Sequence, residues 1–245
     1  MTVAPERAEQ ARAVMLTLFP GGFEEAEAGG GVELAAYTDP GGEERIWQAF
    51  GGATGTDVED GWEDRWRSFH RPVVAGGLWI GPPWERPPAG LPAVVVDPGR
   101  AFGTGAHPTT RLCIELLARQ PRSGLLDVGC GSGVLSIAAA RTGFAPVTAV
   151  DVDPVAVEVT RANAAANHVE LDVRALDAAA DELPHADLVV ANIAPEPVAA
   201  LSGRLRCERA ITSGYLASDA PILAGFVRAE RLELGGWAAD LHLQQ

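Results

Sequence analysis

Lysine is missing from this chain of 245 residues; all 19 of its basic residues are arginine. Beside an alanine-rich composition, that absence reads as coding bias, and no function rests on it. Cysteine is nearly absent as well. Cys113, Cys130 and Cys207 are too few and too scattered for a disulfide framework or a zinc site. Apolar runs stay far short of the roughly 20 residues that a membrane-spanning helix needs. The opening MTVAPERAEQ carries scattered charge and no apolar segment, unlike a signal peptide. These absences give the expectation of a cytoplasmic protein with no membrane and no metal. Positive charge is also scarce, with 33 acidic residues and a net charge of −14. A general nucleic-acid binder needs a basic footprint, so direct nucleic-acid binding is not expected. A basic partner is compatible with this charge, because an acidic surface speeds encounter with one. The hydrophobic content of 47% is ample for a packed core.

The chain divides into three stretches by composition. Residues 1–57 hold a helix from Pro5 to Leu18, then strand-like segments at Phe23–Ala28 and Val32–Tyr37 separated by a glycine-rich turn. A second helix runs from Glu43 to Phe50 after a turn at Asp39–Gly42. Residues 58–90 are expected to be a linker. Trp62, Trp66 and Phe69 fall at i, i+4 and i+7, one face of a helix, and Pro82, Pro83, Pro87 and Pro88 mark an irregular connector. From residue 91 strands and helices alternate. Strands are expected at 93–97, 124–128, 146–151, 169–173, 186–191 and 209–213, and helices at 109–119, 133–142, 154–166, 196–205 and 218–228. One further strand follows Gly235-Gly236. Such alternation points to an α/β domain with a mostly parallel sheet and helices on both faces. Ligands in that architecture sit beyond the carboxyl ends of the strands.

Three groups of residues fall at those ends. Gly129-Cys130-Gly131-Ser132-Gly133 follows an apolar strand and opens a helix, where glycines let the backbone turn sharply and approach a ligand. Asp151 closes the next strand, where a carboxylate can accept from ribose hydroxyls. A dinucleotide site would place a pyrophosphate on the helix N-terminus. Here Asp127 stands two residues before Gly129 and would repel a phosphate. It could instead hold the amino-acid part of S-adenosyl-L-methionine, directly or through water. That favours a methyl donor over a nicotinamide cofactor. Asn192 ends the strand in DLVVANI; it either caps the next helix or serves a substrate nitrogen. Asp177 could face the adenine. Upstream, DPGRAFGTGAHPTT (97–110) is too rich in glycine, aromatic and hydroxyl groups for a plain turn. It could fold over the cofactor and present Thr110 to its carboxylate, with His107 in a loop role.

The blocks DPGRAFGTGAHPTTRLC (97–113), LLDVGCGSGVLSIAAA (125–140), VDVDPVAVEVTRANAAAN (150–167) and DLVVANI (187–193) together resemble the ribosomal protein L11 methyltransferase (PrmA) family. The resemblance implies a Rossmann-like class I methyltransferase domain with a small N-terminal α+β domain, similar to a ferredoxin-like unit truncated by loss of its first strand. It implies S-adenosyl-L-methionine as cofactor and S-adenosyl-L-homocysteine as product. Cofactor contacts are implied at Thr110, Asp127, Gly129, Gly131, Gly133, Asp151, Asn192 and Gly103. Phe102, Gly103 and Thr104 would lie near the methyl group, with Phe102, Thr104 and Asn192 serving the transfer. The implied substrate is a basic ribosomal protein methylated on lysine and N-terminal amines, with residues 1–57 recognising it. Other readings of the same residues are a methyltransferase of another protein or a small amine, and a cofactor-binding protein without activity.

Overall fold

A computed structural model describes residues 1–19, 23–28, 30–36, 38, 40–52, 71–97 and 105–245. The chain falls into two units, Met1–Ser68 and Phe69–Gln245. The helix expected around Trp62–Phe69 lies outside the described residues.

The first unit runs β1 (Thr2–Val3), a 3-10 turn, α1 (Ala8–Leu18), β2 (Glu24–Ala28), β3 (Gly31–Ala35) and α2 (Pro40–Phe50). Its antiparallel sheet has the order β1-β3-β2. The expected loss of the first strand is corrected here. Thr2 and Val3 pair with Glu33 and Val32, and the Met1 amino group donates to Leu34 O at 2.9 Å. Two residues before Pro5 are too few to carry an alternation signal. The unit therefore has the β-α-β-β-α order of the first five ferredoxin-like elements. α1 buries Ala8, Ala11 and Met15. Arg12 on the same face forks onto Glu25 of β2 at 2.7 and 2.6 Å, tying helix to sheet. α2 starts at Pro40, inside the expected turn, because proline at a first helical position loses no hydrogen bond.

The second unit opens with a three-stranded sheet, β4 (Val73–Ala75), β5 (Leu78–Gly81) and β6 (Ala93–Val95). β4 and β5 form a hairpin through Gly76-Gly77, both at positive φ, where only glycine turns without strain. Part of the stretch expected to be linker is thus sheet. The proline-rich residues 82–92 are the irregular connection to β6, which pairs parallel with β5. Gly76 N donates to Glu115 Oε1 at 2.7 Å, anchoring the hairpin to α3 (Pro108–Ala118).

The main sheet has seven strands in the order β12-β13-β11-β10-β7-β8-β9. They are β7 (Leu125–Val128), β8 (Val147–Asp151), β9 (Asp172–Ala175), β10 (Leu188–Asn192), β11 (Arg209–Leu216), β12 (Phe226–Leu234) and β13 (Trp237–Gln244). β9, β8, β7, β10 and β11 are parallel, and β13 runs antiparallel between β11 and β12. β7 is buried along its whole length, with Leu125, Leu126 and Val128 apolar as suits a strand covered on both faces and Asp127 the one charged residue among them. α4 (Val134–Arg141), α5 (Pro154–Ala166) and α6 (Pro195–Ala200) follow β7, β8 and β10. This is the Rossmann-like class I methyltransferase architecture. Strand order reverses between β7 and β10, which makes their carboxyl ends the natural ligand crevice. Among the described residues, no helix is long and apolar enough to cross a membrane.

Elements around the main sheet also differ from expectation. β9 begins at Asp172 because Asn167-His168 closes α5, with His168 at φ 54° and Val169 N returning to Ala164 O. α6 ends at Ala200, followed by turns. The helix expected at 218–228 is absent: Pro221 and Gly225 interrupt it, and Phe226–Leu234 is a strand.

The β12–β13 hairpin carries a buried polar network. Asp240 is fully buried and receives Arg231 through both oxygens at 2.7 Å. The Tyr215 hydroxyl lies 3.0 Å from Asp240 Oδ2 and 2.7 Å from Thr212 Oγ1, which also meets His242 Nε2 at 2.9 Å. Burial, together with the positive charges of Arg228 and Arg231, lowers the His242 pKa against the raising effect of Asp240. Arg231→Met leaves the Asp240 carboxylate without its fork. It is expected to lower stability by about 3 kcal/mol, the low end for a broken buried pair because Arg231 is partly exposed. The fall in the urea midpoint of the second unit measures it.

Candidate functional site

The loop Gly129–Gly133 leaves the ladder at the end of β7. Gly129 and Cys130 both donate to Val150 O, at 2.9 and 3.1 Å, so the loop starts against β8. Gly129, Gly131 and Gly133 all have positive φ. At two of them the absent Cβ matters as much as φ. A Cβ on Gly129 would stand 2.4 Å from Ile193 Cγ2, and one on Gly133 2.9 Å from Thr160 Cγ2. The glycines let the turn after β10 and the helix α5 close on the loop. Gly133 is also the first capping residue of α4, with no side chain to offer its N–H groups.

Asp127 supplies what Gly133 cannot. Its Oδ2 accepts from Ser136 N at 3.1 Å and Ser136 Oγ at 2.6 Å, in the first turn of α4. Its Oδ1 is buried and has no hydrogen-bond partner among the described residues. Desolvation pushes the Asp127 carboxyl up to about 7, against the lowering effect of the Ser136 hydroxyl and with a further push from the Asp151 charge. Sequence reasoning placed Asp127 beside the loop but missed its capping role.

Asp151 lies at the end of β8, and its carboxylate organises the loop. Oδ2 accepts from Gly131 N at 2.9 Å and Oδ1 from Asp153 N at 3.0 Å. Val152 follows it with 70% of its surface exposed, an apolar side chain at the crevice that the sequence analysis passed over. Asp177 stands just beyond β9, where its Oδ1 accepts from Ala179 N at 2.8 Å within its own turn.

Asn192 ends β10. The cap of α6 is Ala194, with no side-chain bond, so Asn192 is not a helix cap. Its Nδ2 lies 3.4 Å from Oγ1 of buried Thr110, near the N-terminus of α3. The Ile193 peptide continues the turn over Gly214, where a Cβ would stand 2.1 Å from Ile193 O. His107 caps α3: Nδ1 accepts weakly from Thr109 N at 3.4 Å, and the ring meets Trp237 edge-on at 4.7 Å. The structure thus brings together Thr110, Asp127, Gly129, Gly131, Gly133, Asp151 and Asn192 around the carboxyl ends of β7, β8 and β10. Phe102, Gly103 and Thr104 lie outside the described residues. Among the described residues no cluster of His, Cys, Asp or Glu could hold a metal ion.

The family model described as ribosomal protein L11 methyltransferase (PrmA) matches residues 43–224. The chain belongs to that family. A ribosomal protein L11 methyltransferase of Symbiobacterium thermophilum is 47% identical over 142 residues, 55% of this chain and 46% of the relative. One from Dechloromonas aromatica is 43% identical over 177 residues, covering 71% and 57%. The chain thus spans about half the length of these curated relatives. The crystal structure of a ribosomal protein L11 methylase from Lactobacillus delbrueckii subsp. bulgaricus superposes with a TM-score of 0.64 at 27% identity. That match covers 72% of this chain and all of the other. The matched range contains every site residue expected from the sequence.

Because the folded Asp127 pKa lies above its unfolded value of about 3.9, the folded state holds more protons between roughly pH 4 and 7. Stability from this group is present below that window and declines as pH rises through it. Asp127→Asn keeps the acceptor for Ser136 and cannot ionise. Its stability relative to the parent is expected to rise from pH 4 to 7 and level off above, as urea unfolding across that range would show.

Proposed function

We propose that this chain is an S-adenosyl-L-methionine-dependent methyltransferase acting on lysine and N-terminal amines of ribosomal protein L11. The observation that carries the reading is the buried Asp127 oxygen, two residues before the glycine loop, which has no hydrogen-bond partner among the described residues. A carboxylate so placed disfavours a pyrophosphate and favours a cationic group such as the ammonium of an amino acid. That separates a methyl donor from a dinucleotide on the same fold. S-adenosyl-L-methionine supplies an electrophilic methyl group on a sulfonium, with S-adenosyl-L-homocysteine as the product.

The chain's own residues have distinct tasks in this reading. Asp151 has lone pairs left beside its two backbone bonds, enough to accept from ribose hydroxyls. Val152 offers an apolar surface to a base. Gly129, Gly131 and Gly133 keep side chains away from the ligand. Thr110, at the N-terminal and positive end of α3, suits a carboxylate. The Asn192 amide donates toward Thr110, which leaves its carbonyl oxygen to accept from a substrate amine and aim the lone pair. Phe102, Gly103 and Thr104 would border the methyl group. Holding the reacting atoms in line would supply most of the rate, since positioning alone is worth up to roughly 7–11 kcal/mol.

The partner reading rests on the family and on charge: a chain at −14 attracts a basic protein. The first unit would recognise it, with residues 1–57 as substrate domain and 91–245 as methyltransferase domain, joined by residues 58–90, of which the β4–β5 hairpin belongs to the second unit. A cytoplasmic setting fits a ribosomal substrate.

Two experiments test these statements. Labelled methyl groups are expected to pass from S-adenosyl-L-methionine to purified ribosomal protein L11; label on other lysate proteins with none on L11 would sink the substrate assignment. Asp151→Ala is expected to weaken S-adenosyl-L-homocysteine binding by roughly 1–3 kcal/mol, the loss of a charged hydrogen-bond partner. Calorimetry reads this directly, and unchanged affinity would remove Asp151 from the site.

A further inference from the structure

α5 packs a polar stripe inward. Thr160, Asn163 and Asn167 lie at i, i+3 and i+7, and all three are buried. Such a face normally carries apolar side chains, so the hydrogen bonds these residues make explain their presence. Thr160 Oγ1 donates to Gly131 O at 2.9 Å. Asn163 Nδ2 donates to Ser132 O at 2.8 Å and to Asp97 O at 3.3 Å, while Oδ1 accepts from Asp97 N at 3.1 Å. Asn167 binds Val95 alone among strand residues: Oδ1 accepts from its N–H at 2.8 Å, and Nδ2 donates to its carbonyl at 2.5 Å. A second Nδ2 bond from Asn167 reaches Asn163 O at 2.8 Å.

The two asparagines therefore pair the end of β6 and the chain just after it as another strand would, one amide for Val95 and one for Asp97. Asn163 does one thing more. The same side chain reaches the glycine loop at a carbonyl that no ladder can satisfy, 31 residues away in sequence. Asp97 is where the chain leaves β6 toward residues 98–104, the segment with Phe102 and Thr104. We propose that Asn163 is a positioning residue that fixes the glycine loop relative to Asp97, so that the cofactor loop and the chain leaving β6 share one rigid reference. The inference rests on the cofactor reading above and adds to it a residue that touches neither cofactor nor substrate.

Asn167 is the internal control, with the same amide at the C-terminal cap of the same helix, bonded to Val95 and Asn163 and making no hydrogen bond to the loop among the described residues. Amide hydrogen exchange and S-adenosyl-L-homocysteine calorimetry on the full chain test the proposal. Asn163→Ala is expected to speed exchange across residues 129–134 and to weaken binding about tenfold, the effect of one lost buried hydrogen bond on a shared loop. Asn167→Ala is expected to lower the melting temperature yet leave exchange at 129–134 and affinity nearly unchanged. Equal effects in the two variants, or an undisturbed loop in Asn163→Ala, would overturn the proposal. Should Asn163→Ala not fold, Asn163→Asp makes the same comparison, keeping shape and the acceptor for Asp97 N while removing both donors. If the parent chain fails to bind S-adenosyl-L-homocysteine, the cofactor reading falls, and exchange at 129–134 still decides the positioning role.

Discussion

An irregular loop inside a protein must find partners for its backbone polar groups, because an unpaired buried carbonyl or N–H is as unfavourable as a lost hydrogen bond. Residues 129–133 meet that constraint through several neighbours. Val150 O receives two of their N–H groups, Asp151 takes the Gly131 N–H, and Thr160 and Asn163 take the Gly131 and Ser132 carbonyls. The rest of the second unit follows from this. Asp151 has to end β8 where it does, α5 has to turn hydroxyl and amide groups inward, and Gly133 has to lack a side chain for α5 to come close.

The same loop sets two carboxylates near one another in an apolar surround. Asp151 keeps both oxygens on backbone N–H groups, whereas Asp127 has one oxygen on Ser136 and one on nothing described. Desolvation, with a further push from the Asp151 charge, raises the Asp127 carboxyl to about 7. A cation arriving beside it would reverse that penalty, so affinity for a cationic ligand and the ionisation of Asp127 are linked.

What could be read from the sequence was what spacing encodes locally. The glycine loop, Asp151 at a strand end and Asn192 at another are each defined by neighbours within a few residues, and they stand where expected. The Asn163 bridge spans 66 residues to Asp97, and no local pattern announces a partner so distant. The Asp127 cap on Ser136 looks, in sequence, like an acid next to a ligand loop. β12 has no counterpart among the expected strands: the helix expected at 218–228 overlaps only its first three residues, and its charges, Arg228, Glu230, Arg231 and Glu233, obscure the apolar alternation of a strand. Their actual setting is an edge strand, where charge guards against further pairing. The two-residue β1 is legible only through its partners in β3.

The placement of β13 bears on how the second unit comes together during synthesis. β11 and β12 are not neighbours; residues 237–244 supply the outer partner of β11 and the inner partner of β12. Until the ribosome has delivered those residues, β11 is an open edge and β12 has no strand to lie against. The buried Asp240 then arrives after Arg231, Tyr215 and Thr212, into a set of partners already made. The half of the sheet carrying the glycine loop can form from local β-α-β units as they emerge, but the other half waits for its last strand. A chain interrupted before Trp237 would present two unpaired edges, the condition under which chaperones hold nascent proteins.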